Sequence, residues 1–153
     1  MSSSAFGKTR LLVLGDSLTA GYGLYADQTF PYRLEVTLRK MRVHIEVLNA
    51  GVSGDTTAGG LARIDWVLQS KPTHVILQLG ANDMLRGVSP ATAKKNLTRI
   101  IEKLRHRKVQ VLLAGMYASP NLGKNYGREF HGIYHQLASQ FDLEFYPFFL
   151  AGV

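Results

Sequence analysis

Three short polar segments, each behind an apolar run, hold the residue types from which acyl-transfer chemistry is built. Ser17 closes the stretch Leu11-Leu12-Val13-Leu14-Gly15-Asp16-Ser17 and is followed by Leu18-Thr19-Ala20-Gly21. A serine hydroxyl is a weak nucleophile until it is fixed beside a base and beside donors for the charge that develops on a carbonyl oxygen. A strand that turns into a short helix supplies such donors, because the first N–H groups of a helix have no partner inside it. Gly54, in Gly51-Val52-Ser53-Gly54-Asp55, offers a backbone amide with no Cβ to hold a substrate oxygen away. Asn82, in Gly80-Ala81-Asn82-Asp83, carries an NH₂ group that donates and does not titrate. One hydroxyl and two amide-type donors are the parts of a serine site with an oxyanion hole.

Each of these residues also has a plainer role. Ser17 suits a helix N-cap, Gly54 a turn, and Asn82 an Asx-turn or cap. Separate caps and turns have no reason to gather at one place, so the elements that carry the segments decide between the two readings. Ser53 is a rival nucleophile, but its surroundings do not form the G-x-S-x-G elbow. The glycine-bearing first loop lacks both a following Lys-Ser/Thr and a full G-x-G-x-x-G, which argues against nucleotide binding.

Apolar runs predict strands over 11–14, 43–48, 75–79, 109–114 and 143–146. Between them, Phe30, Leu34, Leu38 and Met41 repeat at helical spacing behind Pro31, and Leu61, Ile64 and Leu68 mark a second helix. Ser89-Pro90 reads as an N-cap and first-turn proline before the stripe Ala93, Leu97, Ile100, Ile101, Leu104. Phe130, Ile133, Tyr134, Leu137 and Phe141 make a last stripe. Strands alternating with helices predict an α/β fold with a parallel sheet, doubly wound because crossovers are right-handed. In such folds ligands sit outside the carboxyl ends of the strands, where the three polar segments fall.

Leu12 to Gly21 resembles the first block of the GDSL, or SGNH, hydrolase family, in which the serine is the nucleophile. Asn49-Ala50-Gly51-Val52-Ser53-Gly54-Asp55-Thr56 resembles the second block, whose glycine gives an oxyanion amide, and Leu79-Gly80-Ala81-Asn82-Asp83 the third, whose asparagine is the remaining donor. Residues 116–133 also resemble the bacterial arylesterases and the thioesterase I/lysophospholipase L1 branch. The resemblance implies a three-layer α/β/α, flavodoxin-like sheet of about five strands in the order 2-1-3-4-5. It also implies hydrolysis of carboxylic esters or thioesters through an acyl-enzyme on Ser17, with Gly54 and Asn82 holding the oxyanion and with no cofactor and no metal.

The family's fourth block, Asp-x-x-His, supplies the orienting aspartate and the general base. These 153 residues contain no such tetrad. The expectation is a tail over 1–10 and a single domain over 11–153 that is C-terminally incomplete, lacking its last helix. An apolar sheet face would then be left for an oligomer partner or the missing segment to cover. Alone, the chain is expected to be weak or inactive, and a non-hydrolytic binding form of the fold is the alternative.

None of the histidines replaces that base on sequence grounds. His74 precedes the third strand, at the wrong end; His44 is placed within the second strand beside Glu46; His106 belongs to a basic helix end. His131 and His135 are four apart on one helix, a spacing that binds metals, but no H-E-x-x-H glutamate and no third ligand accompany them. Tyr22, Tyr25, Met84, Leu85, Tyr117 and Leu122 are candidates to line an acyl or aryl site, with core packing the role expected for at least half.

A formal charge of +7 raises the question of nucleic acid, but the basic residues are scattered and the densest group, 99–108, lies at a helix end where cations complement the dipole. A nucleic acid partner is therefore not expected, and the resemblance implies a small ester or thioester instead. No apolar run approaches the roughly 20 residues of a membrane helix, so no stable membrane insertion is expected. The first residues, MSSSAFGKTR, show no secretion signal; the compartment is cytoplasmic by default, or periplasmic or extracellular if a leader has been removed.

Overall fold

In the computed structural model, which describes residues 8–153, a parallel five-stranded sheet has the order β2-β1-β3-β4-β5. The strands are β1 (Arg10–Gly15), β2 (Glu46–Gly51), β3 (His74–Gln78), β4 (Gln110–Ala114) and β5 (Glu144–Tyr146). The helices are α1 (Ser17–Ala20), α2 (Phe30–Lys40), α3 (Thr57–Val67), α4 (Ala81–Leu85), α5 (Pro90–His106) and α6 (Lys124–Phe141). This is the doubly wound order expected, with the chain reversing direction across the sheet at β1 and β3.

Alternation along the strands divides the apolar residues between two layers. Leu12, Leu14, Val75, Leu77, Val111 and Leu113 face α3, α5 and α6, where the large core lies. Val13, Ile76 and Ala114 face the other way, with Phe30 and Leu34 of α2 and with Phe149. On that second face Leu11, Val47 and Leu112 remain half-buried. No helix of the described residues is long and apolar enough to cross a membrane.

The helix signals hold in detail for α5. Ser89 caps it by accepting from the Thr92 N–H at 3.2 Å, Pro90 opens it, and the predicted stripe is fully buried. In α2 the predicted stripe is weaker. Phe30, Leu34 and Leu38 are half-buried, and Met41 lies beyond the helix and is 67% exposed.

The second strand starts three residues later than its β-branched content suggests. Arg42 adopts a left-handed conformation (φ 62°), and the Val43 N–H bonds back to the Leu38 carbonyl at 2.9 Å. That closure of α2 takes the Val43 amide out of any ladder. His44 is therefore not in a strand but in the exposed connection before β2. At its other end β2 runs on to Gly51, paired with Gly15.

Candidate active site

Gly15 pairs with Gly51 on one side and with Gln78 on the other, so the loops after β1, β2 and β3 leave one edge of the sheet at the same level. The first loop is locked from beneath. Asp16 is fully buried; its carboxylate accepts the Leu18 N–H at 3.0 Å and the Gln78 side-chain N–H at 3.2 Å. Gln78 in turn accepts the Thr19 hydroxyl at 2.9 Å. Burial pushes the Asp16 carboxyl above its ordinary pKa, against the opposing pull of the Leu18 and Gln78 hydrogen bonds. Asp16, not Ser17, thus caps α1. The plainer cap role proposed for Ser17 is overturned, and its half-buried hydroxyl is left out of the helix's own bonding.

The second loop is tied to the first. The Val52 N–H donates to the Gly15 carbonyl at 3.0 Å, and Asp55 closes a turn back on Val52 at 3.1 Å. A Cβ on Gly51 would lie 2.2 Å from the Ala20 nitrogen, so only glycine lets α1 pack this closely on the end of β2. Gly54 sits in the left-handed region (φ 82°), and its carbonyl accepts from Arg86 at 2.9 Å. The turn role proposed for Gly54 is therefore real, and its amide is held by that turn. Arg63 reaches over from α3, with Nε 2.7 Å from the Asp55 carboxylate and Nη2 3.1 Å from the Gly15 carbonyl.

The third loop meets the second through a side chain. Asn82 donates its Nδ2 to the Asp55 carbonyl at 2.8 Å, one residue past Gly54. It caps nothing, since the cap position of α4 is Gly80. Because an amide NH₂ has two hydrogens, one remains free after this bond. Next to it, the buried Asp83 carboxylate takes both the N–H (2.8 Å) and the hydroxyl (2.6 Å) of Thr57, holding α4 against the start of α3.

A family model for the GDSL-like lipase/acylhydrolase family matches residues 13–152. The esterase TesA of Pseudomonas aeruginosa is 42% identical over 144 residues, covering 94% of this chain and 72% of that protein. An arylesterase of Vibrio mimicus is 38% identical over 154 residues, covering all of this chain and 77% of the relative. The crystal structure of AlinE4, described as an SGNH-hydrolase family esterase, superimposes with a TM-score of 0.93 at 51% identity, covering 96% of this chain and 79% of that one. The chain belongs to the GDSL-like lipase/acylhydrolase family.

By family this acylhydrolase is an ester-hydrolysing enzyme, and its sheet order is the one the resemblance implied. Its histidines lie where the sequence put them, apart from His44. His74 opens β3 at the opposite edge, and His106 ends α5. His131 and His135 approach each other on α6, with Nε2 atoms 2.9 Å apart. Burial, then the neighbouring His135, lower the His131 pKa.

The expectation that at least half of the candidate lining residues belong to the core does not hold. Met84 alone is buried, its sulfur accepting the Ser119 N–H at 3.2 Å, while Tyr22, Tyr25, Leu85, Tyr117 and Leu122 are exposed. Sequence reasoning missed four residues of the acylhydrolase's loop framework: Asp16, Arg63, Gln78 and Asp83. Gln78 carried a signal, as a polar residue inside an otherwise apolar strand. Arg63 carried none, because an arginine on a helix is ordinary until its partner is seen.

Proposed function

We propose that Ser17 is the nucleophile of a serine ester hydrolase whose oxyanion is held by the amides of Ser17 and Gly54 and by the Asn82 side chain. The hydroxyl attacks an ester or thioester carbonyl as a histidine takes its proton. The tetrahedral oxyanion collapses, the alcohol or thiol leaves with that proton, and the resulting acyl-enzyme is hydrolysed by water activated by the same histidine. The observation that supports this most directly is the bond from Asn82 to the Asp55 carbonyl, which sets a side-chain donor beside the Gly54 turn at the edge from which Ser17 emerges. The histidine this reading needs is the one the family resemblance implies in an Asp-x-x-His block, which residues 1–153 do not contain.

The substrates that fit the names of the relatives are small carboxylic esters, aryl esters and thioesters, met by the exposed aromatic residues Tyr22, Tyr25 and Tyr117 around the open edge. A fluorophosphonate probe read by intact mass tests the assignment. The expected result is a single adduct on Ser17, lost in Ser17→Ala, on protein whose measured mass includes an Asp-x-x-His block. Protein with that block that refuses the label would overturn the reading in favour of a binding form of the fold.

A further inference from the structure

We propose that His131 and His135 form a two-histidine site for a divalent late transition metal, Cu(II) or Ni(II), on the flank of α6. The pair is four residues apart on an 18-residue helix and so shares one flank. Spacing alone does not make a site; here the two rings also meet through their Nε2 atoms, joined by a hydrogen bond that a metal ion would replace. Their Nε2 atoms are 2.9 Å apart. Two nitrogens each about 2.0–2.1 Å from one metal and at right angles to each other would lie about 2.9 Å apart, whereas a tetrahedral angle would need about 3.3 Å. A right-angled pair is the arrangement of tetragonal Cu(II) and Ni(II). The ring planes cross at 80° with centroids 4.6 Å apart, so the rings meet at a slant instead of head to head.

Both rings are braced before any metal arrives. Tyr117 lies against His131 at 4.3 Å between centroids, and Phe145 meets His135 edge-on at 4.8 Å. Side chains held this way lose little rotamer freedom on binding. The Nδ1 of His131 is buried, which leaves Nε2 as the nitrogen that ring presents. Among the described residues no third histidine, cysteine or carboxylate joins the pair, so water completes the coordination. Of the pair only His131 lines the neighbouring open cavity of about 560 Å³, together with the cations Lys124 and Arg128, and the Arg128 guanidinium is engaged by Asn125 at 2.7 Å. In the metal-free protein one Nε2–H donates to the other Nε2; the metal takes that hydrogen's place, and the donor ring carries its proton on Nδ1 instead.

The test is titration of the protein with Cu(II) sulfate in a non-coordinating buffer, followed by electron paramagnetic resonance. The expected result is one tight equivalent with nitrogen hyperfine structure, and affinity at least tenfold weaker in His135→Ala and in His131→Gln. Circular dichroism of each variant checks that the fold is kept; His135 is exposed, so its replacement leaves the core untouched. The absence of a tight equivalent in the parent protein overturns the proposal, as does unchanged affinity in folded His135→Ala.

Discussion

Asn82 and Asp55 are joined across two loops by a 2.8 Å bond from side-chain amide to backbone carbonyl, so the Asn82 donor is oriented before any substrate arrives. A donor fixed in advance needs no reorganisation as charge develops, which is what makes it effective in catalysis. In protein that carries an Asp-x-x-His block, the form in which every turnover comparison below is made, Asn82→Ala should lower kcat for a 4-nitrophenyl ester by about 10²–10³-fold. The same change removes one hydrogen bond and should cost only about 1 kcal/mol of stability. Steady-state kinetics and thermal melts on the same sample separate the two. A variant with full kcat would remove Asn82 from the oxyanion site.

Arg63 makes a second link of the same kind, from the Asp55 carboxylate to the Gly15 carbonyl at the end of β1. The pair is largely shielded, with side chains 18% and 11% exposed. Arg63→Met should destabilise by about 1.5–3 kcal/mol, the range for hydrogen bonds to charged groups. If Arg63 acts through Asp55, a double-mutant cycle with Asp55→Asn should return a coupling of at least about 0.5 kcal/mol. As a positioning residue it should also lower kcat more than it raises KM. Unchanged kcat and KM per folded molecule would assign Arg63 to stability alone.

The sequence made the scaffold readable because its signals were local. A five-strand alternation, Ser89 before Pro90, and apolar stripes at helical spacing each follow from one segment's own chemistry. The start of β2 was misplaced because the Val43 amide is consumed by α2, a competition that composition does not record. The three site loops were legible as types, yet Ser17 was open to a capping role until Asp16 was seen to take it. What holds the loops together, Arg63 to Gly15 and Asp83 to Thr57, joins residues distant in sequence, which only the assembled fold brings into contact.

Asp16 carries a pH dependence whose sign follows from its burial. Its folded pKa is raised above the ordinary 3.8, mainly by desolvation. Between the unfolded and folded values the native state therefore binds more protons than the unfolded one, so stability falls as pH rises through that window. Asp16→Asn has no such titration. Urea unfolding of both proteins at a series of pH values from 3.5 upward should show the parent losing stability relative to Asp16→Asn as pH rises. A difference that stays flat, or runs the other way, would show that hydrogen bonds from Leu18 and Gln78 outweigh the burial.

Gly54 separates two reasons for a glycine. Its φ of 82° penalises any residue with a Cβ, whereas the Cβ itself would meet only the Arg86 Nη2 at 3.5 Å, an ordinary contact. Gly54→Ala should therefore cost about 1–2 kcal/mol through backbone strain. Asparagine tolerates the left-handed region, so Gly54→Asn should recover much of that loss. If the glycine serves only the turn, activity should recover with stability. If it also keeps the amide open to a substrate oxygen, Gly54→Asn should be stable and still slow, because the new side chain stands over the donor. Melting temperature and kcat measured on both variants distinguish these outcomes, and a stable Gly54→Asn with the parent's kcat would leave the amide of Gly54 without a place in the oxyanion site.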